Sequence, residues 1–548
     1  MSRVSFPTVL RALAAVACLV PTLALAATYT VGPTGRQYTQ LSTLFANVNL
    51  EPGDVVLVDG NATYDGNIVV GGNDGGAPGS PVTIRWNRAA GTTRPVLAGG
   101  THTIKFQQSN HIVFEGFEVT GGSSTCIFSE AHDVTVRDVV VRDCPSHGIL
   151  GADNNSGSFT LEYSEIRNAG SGTQRHAIYM QSDEVAYPGS VFLMRYNYVH
   201  SGNGGNLLKN RHERALVHYN WFEDAAYQAL ELIGPDCETQ QGGWTPGLRR
   251  EDADVVGNVI VHTSSWRNAI RAGGDLNGRS QGRVRLVNNT IVLDRGGAAN
   301  AVLVQLGLES LEMHNNVVFQ TGPGAAPAIL RVNGASDVET PYCAPTSREP
   351  WTAGRKVAGS NNWVQDSATL VPAEWTGTLR GGDPGFADLG RRQLRPVATS
   401  PLVSSGNPQP PSPSGFPFPS PLLLPQFDPP LRAKMATGAE VARAPGARID
   451  IGALESAGGR DQALRRNGSH PLRPAGASSA RGRGASRTTS YAGAAARAGA
   501  SDGGAEPGML RAVPAFERNR NVRIVPPVQV LWQRWRQLVV AARTGPDA

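Results

Sequence analysis

Apolar and polar residues alternate along much of this chain in runs too short for helices, and one such run keeps returning. It reads His111-Ile-Val-Phe-Glu-Gly-Phe-Glu-Val, then Asp133-Val-Thr-Val-Arg-Asp-Val-Val-Val, and later Val191-Phe-Leu-Met-Arg-Tyr-Asn-Tyr-Val and Leu311-Glu-Met-His-Asn-Asn-Val-Val-Phe. Each run breaks at a polar residue before a second apolar pair, and Asn197, Asn220, Asn258, Asn289 and Asn316 fall at that break. A repeat of about 20 to 40 residues made of short strands is the mark of a solenoid, whose turns stack about 4.8 Å apart. An antiparallel sandwich would not require Asn at matching positions turn after turn, so the pattern predicts an all-β chain wound as a parallel β-helix. The Asn itself is expected to take the left-handed bend, its amide satisfying buried polar groups.

A second series lies between those runs: His147-Gly-Ile-Leu, His176-Ala-Ile-Tyr, Asn206-Leu-Leu-Lys, Gln228-Ala-Leu-Glu, Asn268-Ala-Ile-Arg and Ala328-Ile-Leu-Arg. Strand alternation turns its third column (Ile149, Ile178, Leu208, Leu230, Ile270, Leu330) inward. The fourth column then faces out as Leu150, Tyr179, Lys209, Glu231, Arg271, Leu303 and Arg331. Before the repeats, residues 38–46 predict a short helix capping one end of the core. After them, residues 382–388, 400–402 and 448–455 read as a closing segment, and the Pro-rich stretch 406–431 as an irregular surface wrap.

Composition and charge set the boundaries. Arg3 and Arg11 precede an apolar run from Ala12 to Leu25 that ends in Ala24-Leu25-Ala26, the pattern of a cleaved export signal over residues 1–26. That run is too short, and too interrupted by Pro21, to span a membrane. The mature protein is therefore expected to be secreted or periplasmic, without a transmembrane segment, and to act as a monomer. Residues 27–456 form the β-helix domain. Residues 457–548 carry fifteen arginines against five acids and read as a basic, disordered tail. With a whole-chain charge of +5, the tail's +10 leaves the remainder at −5, which gives no reason to expect nucleic acid on the folded body. Cys126, Cys144, Cys237 and Cys343 are disulfide candidates in an exported chain, with Cys126 and Cys144 about one repeat apart.

The outward column holds the candidate chemistry. Tyr179, Lys209, Glu231 and Arg271 fall on four successive turns, and Arg211 and Gln181 lie two residues beyond Lys209 and Tyr179 on the same face. His176 and His212 flank the group, and a long excursion between Glu231 and Arg271 brings Trp244, which could stack a sugar. β-Elimination on a uronic-acid polymer needs a cation to neutralise the sugar carboxylate, a base for the C5 proton and an acid for the departing oxygen. Lys209 suits the base, Arg211 or Arg271 the carboxylate clamp, and Tyr179 or His176 the acid. Glu231 would orient Lys209 or contribute to a calcium site; Gln181, His212 and Trp244 would contact substrate. A close Glu231–Lys209 pair opposes the base role, because a carboxylate favours the ammonium. Glycoside hydrolysis would instead pair Glu231 with Asp183 or Asp275. A C5-epimerase, or a non-catalytic glycan-binding protein, would use the same scaffold.

Over residues 28–456 the chain resembles the right-handed β-helix polysaccharide lyases of the pectate-lyase-like superfamily, nearest the alginate lyase and chondroitinase B group. The resemblance rests on the entry segment, the Asn-bearing turns and the Lys of Leu207-Leu-Lys-Asn. It implies a right-handed helix, Lys209 as base, an Arg on the neighbouring turn, an acidic polysaccharide substrate and, in many members, a calcium ion held by Asn and Glu. The neighbouring turn here carries Glu231 where that Arg is expected, and no set of calcium ligands precedes Lys209.

Overall fold

The computed structural model describes residues 26–234, 252–275, 280, 282–322, 325–334, 351, 353–443 and 448–456. The chain divides into two units, 1–472 and 473–548, and every described residue belongs to the first. The signal segment up to residue 25, Trp244, Cys237, Cys343 and the tail from residue 457 lie outside the described residues.

Among the described residues the strands build three long parallel sheets of thirteen, twelve and ten strands. Each circuit of chain gives one strand to each sheet in turn, as in Val191–Arg195, Tyr198–His200 and Leu208–Arg211. The next circuit pairs with it in parallel, Leu193 with Leu216, Val199 with Phe222 and Leu208 with Leu230. This is a parallel β-helix. The inward column forms as the alternation requires: Ile149, Ile178, Leu208, Leu230 and Ile270 are fully buried and in register, continued through Val302 to Leu330. A helix, Leu41–Asn47, buries Leu41 and Leu44 against the first turns and caps that end.

The Asn column forms an unbroken amide ladder. The Oδ1 of Asn220 accepts both the backbone N–H and the side-chain amide of Asn197, each at 3.0 Å. The same double contact repeats from Asn220 to Asn258, Asn258 to Asn289, Asn289 to Asn316 and Asn316 to Asn362. The left-handed bend, however, is taken by the residue before each Asn. Tyr196, Tyr219, Asn288, Asn315 and Asn361 have φ between 50° and 59°, and Gly257 has φ 67°. The Asn is kept for its side chain, which needs two acceptor lone pairs and two donors in one plane; the bend falls on whatever precedes it. At Tyr163, Tyr196 and Tyr219 the rings that leave these bends stack at 4.9 and 5.5 Å under Leu422, Leu424 and Phe427 of the Pro-rich wrap and Met435 just after it.

Cys126 and Cys144 form a disulfide that ties consecutive turns together. The closing segment contributes the antiparallel hairpin Phe386–Asp388 and Gln393–Pro396, and then returns along the helix. There Asn288 donates to the Asp450 carbonyl at 2.8 Å and Thr290 accepts from the Ala453 N–H at 2.9 Å. Among the described residues, no helix is long and apolar enough to cross a membrane.

Candidate active site

The ten-stranded sheet sets the outward column in the expected register. Leu150 pairs with Tyr179, Tyr179 with Lys209, Lys209 with Glu231, Glu231 with Arg271, Arg271 with Leu303 and Leu303 with Arg331. Gln181 pairs with Arg211 two residues further along. Facing outward is not the same as facing water. Glu231, Arg211 and His176 are buried, whereas Tyr179, Lys209 and Arg271 are half-buried and form the open side of the cluster.

The strand that carries Arg271 ends at Gly273, whose φ of 104° and a Gln305 carbonyl 2.1 Å from any added Cβ leave no room for a side chain. Two residues further on, Asp275 lies against the cluster. Its Oδ2 accepts from Lys209 Nζ at 3.0 Å and from Arg211 at 2.5 Å. Lys209 Nζ lies 3.8 Å from Glu231 Oε2 and 5.1 Å from the centre of the Tyr179 ring. Glu231 is in contact with the Arg271 guanidinium through its other oxygen and accepts from Asn206 Nδ2 at 2.5 Å. Arg211 donates through Nε to the Tyr179 hydroxyl at 3.0 Å and through Nη1 to the Gly234 carbonyl at 2.5 Å. Among the described residues, three cations and two carboxylates thus meet beside a phenol.

The histidines behind this face are neutral. The Asn206 N–H donates to His176 Nδ1 at 2.9 Å, which puts the ring proton on Nε2, and the His176 N–H donates to His147 Nδ1 at 3.2 Å. Burial first, then the charges of Lys209 and its neighbours, pushes His176 well below its ordinary range, and burial brings His147 to about 4. The His176 ring sits edge-on to Tyr179 at 5.4 Å. Burial alone would raise the Asp275 carboxyl, but Arg211, Lys209 and Arg271 together hold it well below the usual carboxylate range. Burial also lowers the Arg271 guanidinium.

Several expectations need correcting. His212 is fully buried, with Nε2 bonded to the Gly157 carbonyl at 3.0 Å and its ring near Phe192, so a substrate cannot reach it. His176 has no exposed edge and, being neutral, is a weak acid. Arg211 is sealed behind Tyr179 and Asp275, which leaves Arg271 as the reachable guanidinium. Calcium does not fit: both carboxylates are already engaged by cations, and no group of three His, Cys, Asp or Glu side chains able to hold a metal occurs among the described residues. Asp275 entered the sequence reading only as a hydrolase partner, and the roles of Asn206 and His147 went unseen. Asn206 and His147 stand first in the second repeat series, where a polar residue in five of the six turns quoted was the available signal.

No family model matches the sequence, and no curated protein matches it. Among solved structures the chain is similar to pectate lyase Pel9A, at 14% identity and a TM-score of 0.43, over 79% of this chain and 98% of that one. It is also similar to an alginate lyase from Paenibacillus sp. str. FPU-7, at 16% identity and a TM-score of 0.33, over 65% and 95%. XylC in complex with xylose is a third, at 10% identity and a TM-score of 0.41, over 66% and 87%. None of these likenesses assigns a role to a residue of this chain.

Proposed function

We propose that this protein is an exported enzyme that cleaves a uronic-acid polysaccharide by β-elimination. The observation that supports this most is the gathering of Lys209, Arg211 and Arg271 around a phenol, with Tyr179, Lys209 and Arg271 on the open side of the cluster. A sugar carboxylate is the natural counter-ion for such a face. Bound between Lys209 and Arg271, it would lose the charge that otherwise resists removal of the C5 proton.

The geometry redistributes the roles drawn from the sequence. Lys209 touches Asp275 at 3.0 Å and lies near Glu231, and both carboxylates favour its ammonium form, so it acts as a cation rather than as the base. Proton transfer then falls to Tyr179. The Arg211 Nε–H on its oxygen and the ammonium over its ring stabilise a phenolate. The phenolate takes the C5 proton, the C5–H electron pair forms the C4–C5 double bond, and the C4–O bond breaks. The departing glycosidic oxygen takes the proton back from Tyr179. Arg211, Glu231, Asp275 and His176 are positioning residues.

Hydrolysis by two carboxylates fits less well, since the general acid in that reaction needs a raised pKa and Asp275 is held low while Glu231 is sealed by Arg271 and Asn206. The test is cleavage of a panel of polyuronates followed by the ultraviolet absorbance of unsaturated uronate ends. Tyr179→Phe and Lys209→Ala should each lower turnover by at least about a hundredfold. Lys209→Arg should keep measurable turnover, because a guanidinium can neutralise a carboxylate but cannot serve as a base. Loss of all activity in Lys209→Arg would return the base role to Lys209. New reducing ends without the absorbance would mean hydrolysis, and turnover unchanged in Lys209→Ala would remove the site from the reaction.

A further inference from the structure

At the edge of the same sheet, where the chain enters the strands bearing Glu231 and Arg271, an aromatic pair stands in the open. The Tyr227 and Trp266 rings lie 5.3 Å apart at 60°, and Trp266 is 44% exposed, one of the few large apolar side chains left to solvent. The loop that holds it is pinned. His262 Nε2 bonds the Trp266 carbonyl at 2.7 Å, the Trp266 N–H donates to Ser264 Oγ at 3.0 Å, and Ser264 Oγ donates to the Ala226 carbonyl at 2.6 Å. A ring held by three such contacts is a preorganised surface.

Two arginines lie near it. Arg267 follows Trp266 in the chain and is exposed, and Arg295 on the following turn donates to the Ser265 carbonyl at 2.8 Å. Neither has a carboxylate within ion-pair distance among the described residues; Arg295 also donates to the Ala298 carbonyl, and its buried Nε lacks a hydrogen-bond partner. The carboxylates on these turns, Asp224 and Asp294, face Arg392 instead, at 3.3 and 3.4 Å. Burial lowers the Arg295 guanidinium, and the charge of Arg267 lowers it further. Unshared cations beside an exposed, rigid aromatic ring suit a ligand with a flat apolar face and carboxylates at its edge.

We infer that Tyr227, Trp266, Arg267 and Arg295 form a second contact for an acidic polysaccharide, separate from the cluster that holds Lys209. Trp266 stacks on one sugar face and the two guanidiniums take a carboxylate. At the rise of an extended strand, Trp266 lies on the order of 15 Å from Arg271, a few sugar residues away. The contact therefore retains long chains and is indifferent to short ones. It rests on the lyase reading for its choice of a uronate polymer, but it makes its own claim about binding.

The full-length protein is run through native gels containing either a polyuronate or a neutral glucan, and turnover is measured separately on short uronate oligomers. Trp266→Ala and the double change Arg267→Gln, Arg295→Gln should each weaken retardation by the polyuronate about tenfold. Neutral glucan should retard none of the proteins, and turnover of short oligomers should stay at the wild-type level. Equal retardation of variants and wild type by the polyuronate overturns the contact, as does no retardation of the wild type or equal retardation by the neutral polymer. If no uronate is cleaved yet Trp266→Ala still loses polymer binding, the lyase reading falls and this contact stands. Cleavage with unchanged retardation of the variants gives the reverse.

Discussion

Asp275 is the residue on which the cluster's charge balance turns. Arg211 has no solvent exposure, and Asp275 accepts from it at 2.5 Å, while Lys209 shares the same oxygen. Taking that carboxylate away removes a counter-charge from a buried cation, a change that costs about 3 kcal/mol or more. Asp275→Asn should therefore lower the unfolding free energy from a denaturant titration by that amount. Glu374→Gln, which breaks the solvent-exposed pair with Arg355, should move it by less than about 0.5 kcal/mol. Equal, small shifts in both would mean that the Asp275 pair is as well hydrated as the surface one. The residue scale is also where sequence reading stopped. The order Tyr179, Lys209, Glu231, Arg271 was legible because alternation within a strand fixes which side chains share a face. Asp275 was not, because it lies two residues past the end of the strand at Gly273 and still reaches Lys209. The burial of Glu231 was equally hidden, since alternation gives a direction and says nothing about what covers it.

Among the elements, the Asn ladder does most to hold one turn in register with the next. Asn258 accepts two hydrogen bonds from Asn220 and donates three, to the Val217 and Val256 carbonyls and to Asn289. Asn258→Ala would orphan at least the Asn220 amide and the Val217 carbonyl inside a dry column, at about 1 to 3 kcal/mol for each group left unpaired. A loss of about 3 kcal/mol in a denaturant titration is expected, without loss of the β-sheet circular dichroism signal. A shift under about 1 kcal/mol would mean that water replaces the missing amide. The periodic Asn made the column readable in advance. Its conformational partner was not readable, because the left-handed residue before it is Tyr in two of these turns, Gly in one and Asn in three, and so leaves no common letter in the sequence. Tyr196 and Tyr219 accept that backbone because their rings gain stacking and cover from Phe427.

At the scale of the whole molecule, the closing segment fastens the chain back onto the helix through one buried group of charges. Arg443 donates to Glu455 at 3.0 Å and to the carbonyls of Gly452 and Asp450, while Glu455 accepts from the Asp450 N–H. Asp450 in turn accepts from the N–H groups of Ser404 and Ser456, and Ile451 packs among Val317, Trp363 and Leu402. The sequence marked this segment as a terminus but not its route, because the helix residues it meets at Asn288 and Thr290 lie 162 and 163 residues away on turns that carry no matching motif. Burial, with Asp450 adding to it and Arg443 opposing it, pushes the Glu455 carboxyl up from 4.5 to about 7. An acid that is harder to ionise folded than unfolded binds its proton more tightly in the folded state. Its contribution is therefore complete below about pH 4.5 and is lost as pH rises through 7, by on the order of 3 kcal/mol. Buried neutral His147 and His262, both brought down to about 4, act in the opposite sense: their contribution is complete above about pH 6.5 and is lost as pH falls toward 4. Comparing Glu455→Gln with wild type isolates the first effect from the second. The difference in unfolding free energy between the two proteins should change by that amount between pH 4.5 and 7 and level off above it. A difference that stays flat across this window would mean that Arg443 keeps Glu455 ionised throughout, and that the segment is held by a permanent ion pair.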